Sequence, residues 1–132
     1  MANTLNLGST KPVSEYDAQK VVTYNTLADD YDATIAGYLS KSVAGTGNKL
    51  LTRADALHAW FKFTGVLTGN VVVQIPATLG AARVLPVWNA TTGAFSLTVK
   101  MSTGGTGVVV TQGKKVILVQ DGSEVYAVSA EV

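Results

Sequence analysis

Residues 87–107, VWNATTGAFSLTVKMSTGGTG, contain the clearest strand pattern of the chain. From residue 95 to residue 100 apolar and polar side chains alternate, which is typical of a strand with one buried face. The residues predicted to face inward are Phe95, Leu97 and Val99. Glycines near both ends of this strand predict turns. Because the stretch holds no evident catalytic group, it predicts a structural β-sheet.

The same period of two continues on the N-terminal side. Residues 57–65, LHAWFKFTG, place Phe61 and Phe63 on one face of a strand and Trp60 on the other. Residues 70–76, NVVVQIP, predict a second strand, and residues 64–70, TGVLTGN, are predicted to turn the chain between the two. Residues 82–89, ARVLPVWN, predict a strand in which Pro86 occupies an edge position or a bulge.

Residues 106–132 predict three further short strands, separated by turns at Gln112-Gly113 and Asp121-Gly122. Strands spaced about eight to twelve residues apart predict a mainly β fold, either an antiparallel sandwich or a barrel-like prism. Residues 108–110 and 116–119 are apolar at every position, so both faces of these strands need cover. We therefore expect one face to pack within the subunit and the other against symmetry mates, and a homotrimer would satisfy this.

The residues expected to pack in the core or between subunits are large apolar side chains on the predicted strands. They are Trp60, Phe61, Phe63, Val71, Val73, Ile75, Trp88, Phe95, Leu97, Val99, Val116 and Leu118.

Residues 1–49 are predicted to form an N-terminal arm and a helix, ahead of a β-rich body at residues 50–132. Residues 1–13 show neither strand nor helix periodicity, and a helix is predicted from about residue 26 to residue 40. Its apolar stripe would consist of Tyr24, Leu27, Tyr31, Ile35 and Tyr38. Residues 43–49 are predicted to be a loop.

The composition excludes several classes of function. Ten Lys and Arg residues against nine Asp and Glu residues give a net charge of +1, which offers no electrostatic footprint for nucleic acid or an anionic membrane. Hydrophobic residues make up 47% and charged residues 14% of the chain, so some apolar surface is expected to be covered by another chain. The absence of cysteine removes disulfides and thiolate chemistry, and the N-terminus has no signal-peptide pattern, so cytoplasmic synthesis is expected.

No catalytic residue, metal or cofactor is predicted. His58 has Asp55 three residues before it, but no second histidine completes a metal site or a catalytic set. Asp29, Asp30 and Asp32 lack the glycine and distal glutamate of a calcium loop and are expected to form a solvated helix face. Neither AGTGNKLLT (44–52) nor TGGTGVVVTQGKK (103–115) has the spacing of a phosphate-binding loop.

Two surface motifs point towards sugars. Asn89 begins the tripeptide NAT, a glycosylation acceptor pattern that is expected to be accidental without a secretory signal. Trp60, Trp88 and Tyr126 could form an aromatic platform for a carbohydrate, although core or interface packing is the commoner use of such rings.

The motifs LTGN, VVVQIP, WNATTGA, FSLTVK, TQG and QDG follow one another within residues 60–128. This ordered series resembles a β-rich module of bacteriophage virion proteins. The resemblance implies a non-enzymatic structural protein, built into trimeric capsid decoration proteins, head fibres or tail fibres. It implies location in the virion and partners that are copies of the chain, the major capsid protein or a host surface glycan.

The absence of a repeated shaft segment favours a small capsid decoration protein over a tail fibre, which remains the alternative together with receptor binding. In the preferred interpretation the arm and helix attach the protein to the capsid or to neighbouring subunits. The candidate attachment residues are Leu5, Leu7, Tyr16, Tyr24, Leu27 and Tyr31. Removal of residues 1–25 is then expected to abolish virion binding and leave a folded oligomer.

Overall fold

The computed structural model describes residues 2–3, 10–11, 20–79 and 82–132. A two-stranded ladder and an α-helix precede a sheet of eight strands. The elements are β1 (Ala2–Asn3), β2 (Thr10–Lys11), α1 (Lys20–Ala36), β3 (Tyr38–Ser42), β4 (Gly45–Leu50), α2 (Arg53–Ala56), β5 (Trp60–Ile75), a 3-10 turn (Ala77–Leu79), β6 (Arg83–Thr92), β7 (Leu97–Met101), β8 (Gly104–Val110), β9 (Lys115–Gln120) and β10 (Val125–Ala127).

The eight strands from β3 to β10 form one sheet that curves into a nearly closed barrel. Six strands follow the order β10-β9-β6-β5-β7-β8, and β3 and β4 pair with β5 outside this path. The prediction of a mainly β, barrel-like fold is therefore confirmed. The predicted turns at Gln112-Gly113 and Asp121-Gly122 separate β8 from β9 and β9 from β10.

The expected antiparallel order is wrong for the centre of the sheet. Strand β5 runs parallel to all four of its neighbours, β3, β4, β6 and β7. The pairs β7–β8, β6–β9 and β9–β10 are antiparallel, as predicted. The part of β5 that pairs with β6 connects to it through the second half of β5 and the 3-10 turn, which lies near α2.

Residues 64–70 bend the chain and do not reverse it, contrary to the prediction. Gly65 has a φ of +109°, and a Cβ atom there would lie 2.9 Å from the Ala44 Cβ, so glycine permits both the bend and the close contact. The strand continues because its two halves have different partners. Residues 60–66 pair with β3 and β6, and residues 67–75 pair with β4 and β7.

The chain before residue 60 also differs from the prediction. Helix α1 begins at Lys20 and ends at Ala36, before Gly37, so Tyr38 belongs to β3 and not to the helix. Residues 45–49 of the predicted loop, together with Leu50, form β4. Because β3 and β4 pair with β5, the barrel begins at residue 38, ahead of the predicted boundary at residue 50.

Helix α1 is tied to the barrel by an ion pair. The Asp30 carboxylate lies 3.4 Å from Arg53 Nη1 on α2, and Asp30 is the buried residue of the helix among those whose side chains are described. The Thr34 hydroxyl donates to the Asp30 carbonyl oxygen at 2.7 Å. The expected apolar stripe does not face the core, because Tyr31 and Ile35 are 48% and 78% exposed.

The seam of the barrel lies between β8 and β10, the two ends of the strand order. The Glu124 carboxylate, just before β10, accepts hydrogen bonds from the backbone N–H groups of Thr106 and Gly107 on β8 at 2.8 and 2.9 Å. It also accepts from Val125 N at 2.9 Å. These hydrogen bonds, of which that from Val125 has the largest effect, hold the pKa of Glu124 below its ordinary value of 4.5.

The seam predicts a specific acid response. A carboxylate whose pKa is lower in the folded than in the unfolded chain stabilises the fold above pH 4.5, and this contribution is lost as the pH falls through the folded pKa. We expect Glu124→Gln to lower the urea midpoint at pH 7, and we expect the difference from the parent chain to narrow at pH 3. Asp29→Asn, which replaces an exposed carboxylate of α1, is the matched control. A constant difference for Glu124→Gln across this range would contradict the role given to the charge.

Candidate functional site

Most of the residues that were predicted to pack in the core or between subunits lie inside the barrel, so they do not form its outer surface. Each such buried side chain contributes about 1.5–3 kcal/mol to stability. The buried residues of that set are Phe61, Phe63, Val71, Val73, Ile75, Leu97, Val99, Val116 and Leu118.

Phe95 does not face inward, contrary to the prediction. Its side chain is 43% exposed. Strand β7 begins only at Leu97, so Phe95 belongs to the turn that precedes the strand and is not bound by its alternation. The alternation in the sequence includes Phe95, but the hydrogen-bonded pairing of β7 that fixes side-chain direction begins two residues later, at Leu97.

Trp60 and Trp88 lie on the outer face of the barrel and line a groove with a volume of about 600 Å³. Trp60 is 37% exposed and stacks on Tyr38, with ring centroids 4.1 Å apart. Pro86 and Ile117 continue the groove across β6 and β9, since these two residues are paired in register. The groove therefore has an apolar surface that spans three strands of the sheet.

Two lysines flank Trp88. Lys62 on β5 and Lys115 on β9 are its register partners on either side, and their Nζ atoms lie 4.2 and 4.5 Å from the centroid of its ring. Such contacts are favourable cation–π interactions. Within the part of the chain that the structure describes, neither lysine has a carboxylate within ion-pair distance. The groove thus offers positive charge beside an apolar surface.

The C-terminal segment forms one wall of the groove. Beyond β10 it continues along β9, with Val128 N donating to the Ile117 carbonyl oxygen at 3.0 Å. Val132 and Lys115 exchange two backbone hydrogen bonds of 2.9 and 3.0 Å. The Glu131 carboxylate accepts from Thr111 N at 2.7 Å, which attaches the segment to the turn after β8. The wall is therefore held by backbone hydrogen bonds to β9.

Arg83 fixes the segment that leads into Trp60. Its Nη1 and Nη2 atoms donate to the carbonyl oxygens of Ala56 and His58, both at 3.1 Å. Burial lowers the pKa of this guanidinium. The side chain acts as a cap for the end of α2 and orients the start of β5.

The aromatic platform predicted for a carbohydrate is only partly assembled. Trp60 and Trp88 share the groove, but Tyr126 lies on β10 outside the groove lining and is 52% exposed. Tyr38 stacks on the Trp60 ring, and the two lysine ammonium groups lie over the Trp88 ring. These contacts occupy ring surface on which a sugar would stack.

His58 and Asp55 are close in space but do not form a histidine–carboxylate pair. His58 Nδ1 lies 2.8 Å from the backbone carbonyl oxygen of Asp55. The Asp55 carboxylate accepts instead from Lys41 Nζ at 2.8 Å and from Thr52 N at 3.3 Å. Burial opposes ionisation of Asp55, but these bonds outweigh it and hold its pKa below the usual value. The arrangement caps α2.

The other motifs considered for chemistry have structural places. Asp30 is buried against Arg53, whereas Asp29 and Asp32 are exposed. Among the described residues, no three His, Cys, Asp or Glu side chains gather as a metal site. The glycine-rich segment at residues 44–52 forms β4 and the Thr52 cap of α2, and the other, at residues 103–115, forms β8, the following turn and the start of β9.

Asn89 is buried and is not accessible to a glycan in the folded chain. Its Nδ2 donates to the Val110 carbonyl oxygen at 2.7 Å, and its Oδ1 accepts from the Thr91 hydroxyl and backbone N–H at 2.6 and 3.1 Å. Gln112 Nε2 donates to the carbonyl oxygen of Gly93. The NATTGA and TQG motifs are therefore joined by hydrogen bonds.

The predicted attachment residues are described only in part. Leu5, Leu7 and Tyr16 lie outside the described residues, and for Tyr24 only its place in α1 is described. Leu27 is half-buried and Tyr31 is exposed, both on α1. Tyr31 is therefore accessible to a partner, and Leu27 is partly accessible.

Sequence reasoning missed the groove itself. Trp60 and Trp88 stood out as large aromatic residues, but the lysines on either side of Trp88 gain meaning only from the register of β5, β6 and β9. The C-terminal wall had no strand pattern beyond residue 127. The available indications were the apolar residues that line the groove and the position of Lys62 between two apolar neighbours on β5.

Within the described part of the chain, neither α1 nor α2 combines the length and the hydropathy that a membrane-spanning helix requires. Comparisons with family models, with curated proteins and with solved structures found no match to this chain.

Proposed function

We propose that this chain is a non-enzymatic structural protein of a bacteriophage virion. In this proposal it binds the outer capsid surface as a homotrimer and stabilises the shell as a small decoration protein. Its partners are two further copies of itself and the major capsid protein, and it requires no cofactor. The mostly apolar lining of the groove supports this, because it suits a surface that binds another protein.

The observation that carries the proposal is an apolar surface on the outside of a rigid barrel. Trp60, Ile117, Val128 and Val132 are exposed along the groove and its wall. Val109 and Ile117 belong to the two strands predicted to need cover on both faces, and both are exposed in the single chain. A large exposed apolar patch is typical of a protein–protein interface.

The motif series that resembles phage virion modules supports the same function. Its NATTGA and TQG motifs meet through the Asn89, Thr91 and Gln112 side chains, which hold β6 to the turn between β8 and β9. These motifs therefore stabilise the barrel. A rigid barrel with interaction surfaces suits a protein that reinforces a shell through many repeated contacts.

The capsid contact is assigned to residues 1–19, which contain Leu5, Leu7 and Tyr16. We expect the full chain to cosediment with capsids of the parent phage that lack it, and to raise the temperature at which those capsids release DNA. A chain without residues 1–19 keeps the whole of α1, unlike a deletion to residue 25. It should keep its circular dichroism spectrum and oligomeric mass and bind capsids at least tenfold more weakly.

A chain with residues 1–19 in shuffled order is the matched control for length and composition. Weak binding by the shuffled chain would support a specific arm contact. Equal binding by the full, truncated and shuffled chains would overturn the assignment, and binding to purified tails in place of capsids would overturn the decoration role.

A tail-fibre protein with a glycan receptor is the second candidate. The observation in its favour is the common groove of Trp60 and Trp88. Against it, Tyr38, Lys62 and Lys115 lie on the rings that would bind a sugar. Binding of the purified chain to a glycan array, lost in both Trp60→Ala and Trp88→Ala, would favour this candidate.

A further inference from the structure

Helix α1 presents an apolar side that no part of the described barrel covers. Leu27, Tyr31 and Ile35 follow one another at intervals of four residues and so lie on one side of the helix. This side is rotated by about 100° from Asp30, which faces Arg53 on α2. Exposure rises along the stripe, from half-buried Leu27 to Ile35, which is 78% exposed.

The groove is complementary to this side of α1 in both shape and charge. It is concave and lined by Trp60, Trp88 and Ile117, and it carries Lys62 and Lys115 at Trp88. Beside Ile35, α1 carries the exposed carboxylate Asp32, whereas Asp29 lies on the opposite side of the helix. A helix with apolar anchors one turn apart can occupy a hydrophobic groove.

We propose that α1 of one copy docks into the groove of a second copy of this chain. Within a single chain, the ion pair between Asp30 and Arg53 holds α1 on α2 and leaves Ile35 exposed, so the groove of the same chain stays open. In the docked pair, Tyr31 and Ile35 cover the apolar groove, and Asp32 approaches Lys62 and Lys115, which have no carboxylate partner among the described residues. The charge complementarity selects the helix of a second copy as occupant.

Because the two contacting surfaces differ, each copy offers one helix and one groove. Such head-to-tail contacts close into a ring when the rotation between copies permits, and a trimer is one such ring. The inference rests on the proposed function only in requiring an oligomer. It assigns α1 to contacts between copies and leaves residues 1–19 for the capsid.

The natural absence of cysteine allows a direct test. Two single-cysteine chains, Ile35→Cys and Ile117→Cys, are made separately, mixed and oxidised. We expect a disulfide-linked pair containing one chain of each kind, at least fivefold more abundant than with Val66→Cys in place of Ile117→Cys. Val66 is the matched control because it is an exposed, β-branched residue on β5 outside the groove lining.

A second measurement uses oligomeric mass from sedimentation. Ile35→Lys should raise the dissociation constant of the oligomer at least tenfold, whereas Ala36→Lys, on another side of α1, should leave it unchanged. Lys115→Glu should weaken association, and adding Asp32→Lys should restore it. This rescue distinguishes a paired contact from general damage to either surface.

The outcomes separate the inference from the proposed function. An oligomer that tolerates Ile35→Lys, or equal cross-linking at residues 66 and 117, would overturn the inference and leave the capsid role standing. A disulfide within one chain of the Ile35→Cys, Ile117→Cys double variant at high dilution would overturn it in favour of the chain's own helix. Failure of the parent chain to bind capsids would overturn the proposed function whatever the cross-linking result.

Discussion

Replacing Asn89 with alanine is expected to lower the free energy of unfolding by about 3–5 kcal/mol. The side chain is buried and bonds the Val110 carbonyl oxygen together with the backbone and hydroxyl groups of Thr91. Each buried polar group left without a partner costs about 1–3 kcal/mol. Loss of Asn89 leaves several such groups beneath the turn between β8 and β9, so their costs accumulate.

Urea denaturation at pH 7 measures this loss, and Asn70→Ala is the matched control. Asn70 Oδ1 also accepts a backbone hydrogen bond, from Ser96 N at 3.1 Å, but this bond is exposed. Water can replace it, so the expected loss is about 1 kcal/mol or less. Similar losses for the two variants would show that the Asn89 network does not hold the barrel together.

The second large effect is expected for Gly93→Ala, which should lower the free energy of unfolding by about 3 kcal/mol or more. Gly93 has a φ of +100°, which side chains of L-residues rarely adopt, and backbone strain of this kind costs about 1–3 kcal/mol. A Cβ atom would also lie 2.4 Å from the Leu67 carbonyl oxygen on β5. The two backbones would have to separate, which would disturb the bend of the central strand.

Gly113→Ala separates these two causes. Gly113 has a φ of +79°, but a Cβ atom there would meet no atom within 4 Å. Its expected loss is therefore about 1–2 kcal/mol, from strain alone. Thermal or urea unfolding of both variants gives the difference, which reports on the contact with Leu67. Equal losses would contradict the steric contribution at Gly93.

The sequence predicted the faces of the strands better than their partners. Alternation identified the buried sides of β5 and β7, because the side-chain period follows from the strand itself. The direction and identity of a neighbour depend on the path of the connections, and here a bend near Gly65 lets β5 pair with four strands in parallel. The glycines that looked like a chain reversal serve this bend.

The N-terminal half shows the same limit for helices. The stepped apolar residues correctly indicated α1, but its stripe is exposed, because the residue that contacts the barrel is Asp30 through Arg53. The arm and helix were interpreted as a surface that contacts the capsid or neighbouring subunits. The measurements on the oligomer test this interpretation. Tyr38 lies outside the helix because α1 ends before Gly37 and residues 38–42 pair with β5.

The candidate site depends on relations that no local pattern contains. Trp60 and Trp88 were recognisable as aromatic residues of interest, yet the groove arises from the curvature of the sheet and from the C-terminal segment that runs along β9. The position of Lys62 and Lys115 on either side of Trp88 is a property of register. Composition indicated that apolar surface would be exposed, but not where.

The pairing of β5 with four strands also governs how the barrel assembles. Its partners are drawn from residues 38–50, 83–92 and 97–101, so the central strand gains its hydrogen bonds only after segments on both sides have closed their loops. Folds rich in such non-local contacts form slowly, because loop closure costs entropy before contacts repay it. Once formed, no half of the barrel can detach without taking β5 from the other half. The barrel is therefore expected to form late in folding. Once formed, it is expected to keep its structure for the lifetime of the virion in which we propose that it acts.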